Sequence, residues 1–544
     1  MKNYKILITT FLCVCACSSL DDYRHDGGPP RQGQAVETRV LSPDDTITIS
    51  IEDVRNPYSL AVMQAVYDRY SLEPIVLSPT DIYVRFMPQD SSQLQYLLYE
   101  SGLEMFDYPL DTDTVVEQVE SDQAPADTSF TWLYTTVSPN YTFPQGITHE
   151  VLDSCYIPLE REVIILTRSE EIDVEAAAYE MLGYDAVDEF KDYTETRSPS
   201  CTPSGRIRVY DNNNGIYIPV KGVRIRGHRF VKYSIGYTDE NGYYELRSNF
   251  RNPLHYEVVY SNTKGFDIWG NYGPLTTATI QLGKHEPTGY SKNATQSERM
   301  WRYSAINNAA YEYYKMCEST GISTPPNGIK ILSTPYTDGG SSAPMLRKVG
   351  VNAHTFLQWY MFFRNFNTGL VPATLTMLLR YCAFDISIDT SVLDYSTIFC
   401  SVNHELSHAS HYSVVGRPFW KKYINYIISY GSFDNPYGSG TGTNAELCGI
   451  GEMWGYFMGI IQVNESRGSN YLISAPTTWI KPQVFGDLYN NGVLSKKQIF
   501  DSLTSNVKTY DALVERMYDL YPLKADEIES AFMNNGITVS VEKP

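Results

Sequence analysis

Two histidines four residues apart bracket a glutamate in His404-Glu405-Leu406-Ser407-His408, and no other stretch restricts the chain as tightly. Four residues of α-helix rise about 6 Å, a little over one turn, so both imidazoles project from one face. Side chains placed this way can hold one Zn2+ while the glutamate between them reaches a water on the metal. The surrounding sequence predicts a helix over 396–416. Asp394 or Ser396 is its candidate cap, Gly416 suits a left-handed stop, and Pro418 follows where the helix cannot continue. Ile398, Val402, Leu406 and Ala409 recur at three- and four-residue intervals and give the helix a face to bury.

A catalytic zinc takes three protein ligands and a water, so one ligand must come from elsewhere in the chain. A third histidine ten residues after the first is excluded, because that position is Val414. His411 lies on a similar face of the helix, but seven residues rise about 10 Å, too far to share the ion. It is assigned a surface or hydrogen-bonding role. A second helix is expected over 445–463, with Asn444 as cap and Leu447, Ile450, Trp454, Phe457 and Ile461 as its apolar stripe. That helix carries Glu446 and Glu452. Glu452 shares its side with Gly449, Gly455 and Gly459, where a second helix could come close. Glu446 sits in the first turn, where the helix dipole favours an acid without any metal. Glu452 is the first candidate for the third ligand and Glu446 the second.

The pentad followed by a glutamate on a separate helix resembles the gluzincin class of zinc metallopeptidases, over residues 296–464. The gap from His408 to Glu452 is longer than in the thermolysin-like members. The resemblance implies a Zn2+ ion held by His404, His408 and Glu452. It also implies that Glu405 acts as general base on the zinc-activated water and that the substrate is a peptide or protein. An oxyanion donor is needed as well; Tyr412, Tyr437 and Tyr456 are near in sequence, and spacing does not choose among them. The alternative reading is a surface binding protein or adhesin on an inactive peptidase scaffold. Loss of the pentad glutamate would be its easiest sign, and Glu405 is present.

At the N-terminus, Lys2 and Lys5 precede a short apolar run from Ile6 to Val14, which has signal-peptide form and is too short to span a bilayer. Val14-Cys15-Ala16-Cys17 resembles the lipobox of bacterial lipoproteins. That implies a lipoprotein signal segment over 1–17, with cleavage just ahead of Cys17, lipidation of Cys17 as the new N-terminus and a membrane partner reached through the lipid. Asp21 and Asp22 resemble the surface-export signal of some Gram-negative lipoproteins. The expected location is the cell envelope, as an outer-membrane lipoprotein facing the periplasm or the exterior. A formal net charge of -20 and the lack of a long basic run exclude nucleic acid as an electrostatic partner.

The expected architecture is multidomain α+β, since 544 residues exceed what one core can organise. A polar tether over 18–40 leads to a small α/β domain over 41–200. Its predicted elements are strands at 46–51 and from Asp81, and helices over 57–70, from Ser91 and from Asp173. This domain shows no chemical spacing of His, Cys or carboxylates and reads as a contact module, with a cover over the catalytic site as the second reading. After a break at 198–205 the sequence turns to short β runs. In Thr238–Leu246 the Asn241-Gly242 pair suits a tight hairpin turn. With Pro219–Val223, this piece resembles the carboxypeptidase regulatory-like β-sandwich, here over 203–285, which implies a spacer or binding domain without chemistry of its own. His228 and His255 read as packing or surface residues. A mostly helical zincin-like catalytic domain is expected over 290–544, with a helix over 296–319 and a strand at 383–388. The six cysteines outside the signal, Cys155, Cys201, Cys317, Cys382, Cys400 and Cys448, suggest no pairing, and the oligomeric state is open.

Overall fold

A computed structural model describes residues 55–112, 131–158, 162–167, 170–184, 201–270, 277–334, 340–349, 384–431 and 435–544. Cys17, the tether, the strand expected at 46–51 and Cys382 lie outside the described residues. What is described is mixed α+β, with several sheets in the first half and a mostly helical C-terminal region.

The N-terminal region contains helices α1 (Leu60–Tyr70), α2 (Ser91–Gln95) and α3 (Val174–Met181), close to the sequence expectation. α2 runs into a π-helical turn, Tyr96–Glu100, and α3 is capped by Asp173, which accepts from the Ala176 N–H at 2.9 Å. Strands β1 (Asp81–Met87), β2 (Leu133–Val137) and β3 (Thr148–Cys155) form an antiparallel sheet ordered β2–β1–β3, and β4 (Val163–Thr167) pairs with β5 (Glu170–Asp173). β1 sends Tyr83 into a cluster with α1 and α3, and Val84 and Phe86 into another with Leu94 and Leu97. Both faces of the first sheet are thereby covered.

Strands β6 (Ser204–Asp211), β7 (Ile216–Pro219), β8 (Val223–Arg229), β9 (Lys232–Tyr237), β10 (Tyr243–Glu245), β11 (Leu254–Asn262), β12 (Phe266–Trp269), β13 (Thr279–His285) and β14 (Lys292–Ala294) divide between two sheets. β6 pairs with β7, β10 and β14, while β8, β9, β11, β12 and β13 belong to a larger sheet. The Asn-Gly turn forms, with Asp239 accepting from the Asn241 and Tyr243 N–H groups and Gly242 at φ 74°. It does not close a hairpin. It carries the chain from β9 in one sheet to β10 in the other.

Helix α4 (Arg299–Thr320) follows, and its expected stripe of Met300, Tyr303, Ala310, Tyr311 and Tyr314 is buried along with most of its circumference. β15 (Ile329–Thr334), the short α5 (Leu346–Val349) and β16 (Ile386–Asp389) come next. β15 and β16 extend the larger sheet by parallel pairing onto β12, giving the order β16–β15–β12–β11–β8–β9. This sheet spans both sides of positions 285–290, and one core cluster runs from Ile207 to Ile537. Ser342 pairs with Ser387 on the outer side of β16 through two backbone hydrogen bonds of 2.8 and 2.9 Å.

The alternation of side chains along the larger sheet fixes what lies on each face. Val223, Ile225, Tyr256, Val258, Ile329, Ile331, Ile386 and Ile388 join the core shared with the C-terminal helices. Arg226, His228, Glu257 and Lys330 point the other way, toward the N-terminal region. There Arg226 meets Glu104 at 3.0 Å, Tyr108 meets His228 at 2.9 Å, and Lys330 lies 3.4 Å over the Tyr99 ring. His228 stacks on His255. The described N-terminal region therefore docks on the sheet face turned away from the histidine helix, and does not cover the pentad.

The remaining helices are α6 (Tyr395–Tyr430), α7 (Ala445–Arg467), α8 (Gln483–Asn490), α9 (Lys496–Asp501), α10 (Tyr510–Leu520) and α11 (Ala525–Asn534). The last three lie in the stretch 290–544 expected to be mostly helical. Trp454 against Phe500 and Phe457 against Phe485 tie α8 and α9 to α7. No disulfide joins the described cysteines.

Candidate metal centre

α6 begins as its sequence requires, with Asp394 accepting from the Thr397 N–H at 2.8 Å. Ile398, Val402, Leu406 and Ala409 enter the core, and Tyr313 of α4 donates to Ser410 at 2.9 Å. That anchoring turns His404 and His408 toward α7, with their Nε2 atoms 3.0 Å apart. Gly416 breaks the helix at φ 72°, as expected. Pro418 was expected to keep the helix from continuing, yet a second limb runs on to Tyr430. Its missing N–H costs nothing within a first helical turn. The second limb brings Trp420 and Tyr423 back against His408, at ring separations of 6.0 and 5.8 Å.

α7 packs antiparallel to α6 and supplies the carboxylate. Glu452 Oε2 lies 3.4 Å from His404 Nε2, and its Oε1 lies 3.6 Å from His408 Nε2. The ligand atoms of these three residues all fall within 4.8 Å of one another. Close approach depends on glycine. A Cβ on Gly455 would stand 2.8 Å from both Nε2 atoms, and one on Gly459 would stand 2.9 Å from the Cys400 carbonyl oxygen. Gly449, expected on the same side, faces Trp479 and Tyr510 instead. Asn444 does not cap α7 with its side chain; it takes a left-handed conformation, φ 70° and ψ 19°.

Glu446 points elsewhere and accepts from the Tyr510 N–H at 2.7 Å, closing the start of α10. Glu446→Ala is therefore expected to lower stability by about 1 kcal/mol, the usual size of a lost helix-start acceptor. Metal content should not change. Thermal unfolding and metal analysis of the variant check this, and loss of bound metal would reinstate Glu446 as a ligand.

All four chemical side chains are buried, His404 being the most exposed at 8 %. Burial pushes the Glu405 carboxyl up to about 8. Burial also acts on Glu452, but the His408 and His404 imidazoles beside it prevail and hold that carboxyl well below the usual range. Glu452 is thus anionic, and its Oε2 has no hydrogen-bond partner. An ionised carboxylate with one oxygen unsatisfied, facing two converging imidazole nitrogens, fits a cation.

Three tyrosines surround the triad. Tyr423 donates to Glu452 Oε1, a role sequence spacing gave no hint of, since the donor lies 29 residues away on the second limb of α6. The Tyr456 ring stands edge-on to His404 at 4.5 Å, and its hydroxyl lies 3.1 Å from that of Tyr437. Burial raises the pKa of both hydroxyls, which keeps them protonated as donors. Tyr412 donates to the Lys348 carbonyl at 3.0 Å and is not part of this group. His411 is buried rather than at the surface. Phe419 and Trp420 pack on it, and burial pulls its pKa down to about 3, so it is neutral and outside the triad.

No protein-family model, no curated protein and no solved structure matches this chain.

Proposed function

We propose that the chain is a zinc-dependent peptidase of gluzincin type, lipid-anchored through Cys17 in the cell envelope. One observation carries the reading: His404, His408 and Glu452 converge from two helices within 4.8 Å, with Glu405 buried between the two histidines in sequence. These three residues would hold the ion. When bound, zinc lowers the pKa of a coordinated water toward about 7 and polarises a carbonyl. Glu405 would take the proton of that water as general base and return it to the leaving amine. Tyr423 fixes the orientation of Glu452 by its hydrogen bond, as outer partners of metal ligands do. The Tyr456 ring packs on His404 and its hydroxyl pairs with that of Tyr437, which makes these two hydroxyls the candidates to donate to the oxygen that gains charge during attack.

The test is zinc analysis of purified protein together with cleavage of a broad peptide library, with and without a chelator. About one zinc per chain is expected. Cleavage should disappear with the chelator and return when zinc is restored. Stoichiometric zinc without cleavage of any peptide would overturn the reading in favour of a binding protein on an inactive scaffold.

A further inference from the structure

The contacts between α6 and α7 run in a single antiparallel register. Gly459 meets Cys400, Gly455 meets His404, Glu452 meets His408, and at the far end Arg467 meets Ser396. Near the triad the α7 surface is glycine, which has no side chain to interlock with the opposite helix. Direct ties cross this contact where Trp454 Nε1 donates to the Ser407 carbonyl at 3.2 Å and Tyr423 donates to Glu452. One residue of slip moves a helix by about 1.5 Å, enough to break carboxylate-to-imidazole distances of 3.4 and 3.6 Å.

The register is also held at the far end of the pair and from a third element. Arg467 Nε donates to Ser396 Oγ at 2.9 Å, while its terminal nitrogen reaches both oxygens of the buried Asp211 at 2.6 and 2.7 Å. Asp211 ends β6 and opens the turn Asp211-Asn212-Asn213-Asn214-Gly215. Asn212 accepts from the Tyr395 N–H at 3.0 Å and donates to the Leu393 carbonyl at 2.9 Å. Asn213 accepts from the Ser396 N–H at 2.8 Å and donates to Asp394, the cap of α6. One turn of the all-β stretch thus grips the start of the histidine helix and the end of the glutamate helix together.

We infer that this β turn is a working part of the metal centre, and that Asp211, Asn212, Asn213 and Arg467 are positioning residues that set the two ligand helices in register. The inference rests on the triad being a metal site. It departs from the expectation that the β stretch is a spacer without a part in the chemistry.

The experiment measures zinc affinity by competition with a chromophoric chelator, alongside thermal unfolding of the metal-free protein. It compares wild type, Arg467→Gln, Asn213→Ala and Leu254→Ala. Leu254 is a buried core residue of the same β stretch, so its truncation destabilises that stretch without touching either helix end. Arg467→Gln is expected to weaken zinc binding about tenfold, the order found for outer partners of ligands. Asn213→Ala, at an exposed position, should weaken it severalfold, and Leu254→Ala should leave it unchanged however far its unfolding temperature falls. If Arg467→Gln does not fold, Asn213→Ala decides. Affinities within twofold of wild type in the turn variants, or an equal loss in Leu254→Ala, overturn the inference alone. A wild-type protein that binds no zinc overturns the metal-site reading and this inference with it.

Discussion

Glu405→Gln is expected to reduce peptide hydrolysis by about 10²- to 10⁴-fold while zinc content and fold are kept, the range that a positioned general base contributes. Glutamine fills the same volume and keeps its place on α6, but it cannot accept a proton. The residue is not a ligand, and His404, His408 and Glu452 are untouched. The same variant carries a pH signature in the metal-free protein. Glu405 has its carboxyl raised by burial from the ordinary 4.5 to about 8. Its contribution to stability is therefore fully present below about 4.5 and is lost as pH rises through about 8. Chelated wild type should become less stable across that window relative to Glu405→Gln, whose amide does not titrate. Unfolding temperatures of both proteins at several pH values, and hydrolysis rates of their zinc-loaded forms, provide the test. Wild-type rates in the variant, or parallel unfolding curves, would sink the assigned role.

What the sequence disclosed here is what local chemistry dictates. Asp394 and Gly416 bound the first limb of α6 because capping and a positive φ act within a few residues. Pro418 misled because the rule that proline ends a helix and the rule that proline suits a first turn apply to the same residue. Which rule holds depends on whether a new limb begins there. Glu452 was legible through its glycine neighbours, although only Gly455 and Gly459 face α6 and Gly449 does not. Glu446 could not be excluded from spacing, since its partner Tyr510 lies 64 residues further on. The extent of the larger sheet was hidden for the same reason. Its parallel pairing of Phe266 with Ile329 leaves no periodic mark in either segment. Tyr423, His411 and the Asp211 turn owe their places to packing between distant segments, which no local pattern encodes.

Gly455→Ala is expected to abolish zinc binding at the concentrations that saturate wild type, a loss of about a hundredfold or more in affinity, at or beyond the upper end of what disturbing a ligand's surroundings costs. The added methyl would lie 2.8 Å from His404 Nε2 and His408 Nε2 and 2.9 Å from His404 Cε1. The two Nε2 atoms are the proposed donors, so relieving the clash means moving an imidazole off the site or moving α7 and Glu452 away. The helix does not unfold in consequence. Alanine gains up to about 1 kcal/mol of helix propensity over glycine, against about 1–3 kcal/mol for an overpacked contact, so the net effect on the metal-free protein is small. Gly449→Ala supplies the contrast. Its methyl would meet the Tyr510 hydroxyl at 2.5 Å and not an imidazole, so it should lower the unfolding temperature while leaving zinc in place. Zinc content after dialysis, read with circular dichroism, separates the two variants. Wild-type zinc content in folded Gly455→Ala would mean that the ion does not sit where the two imidazoles and Glu452 converge.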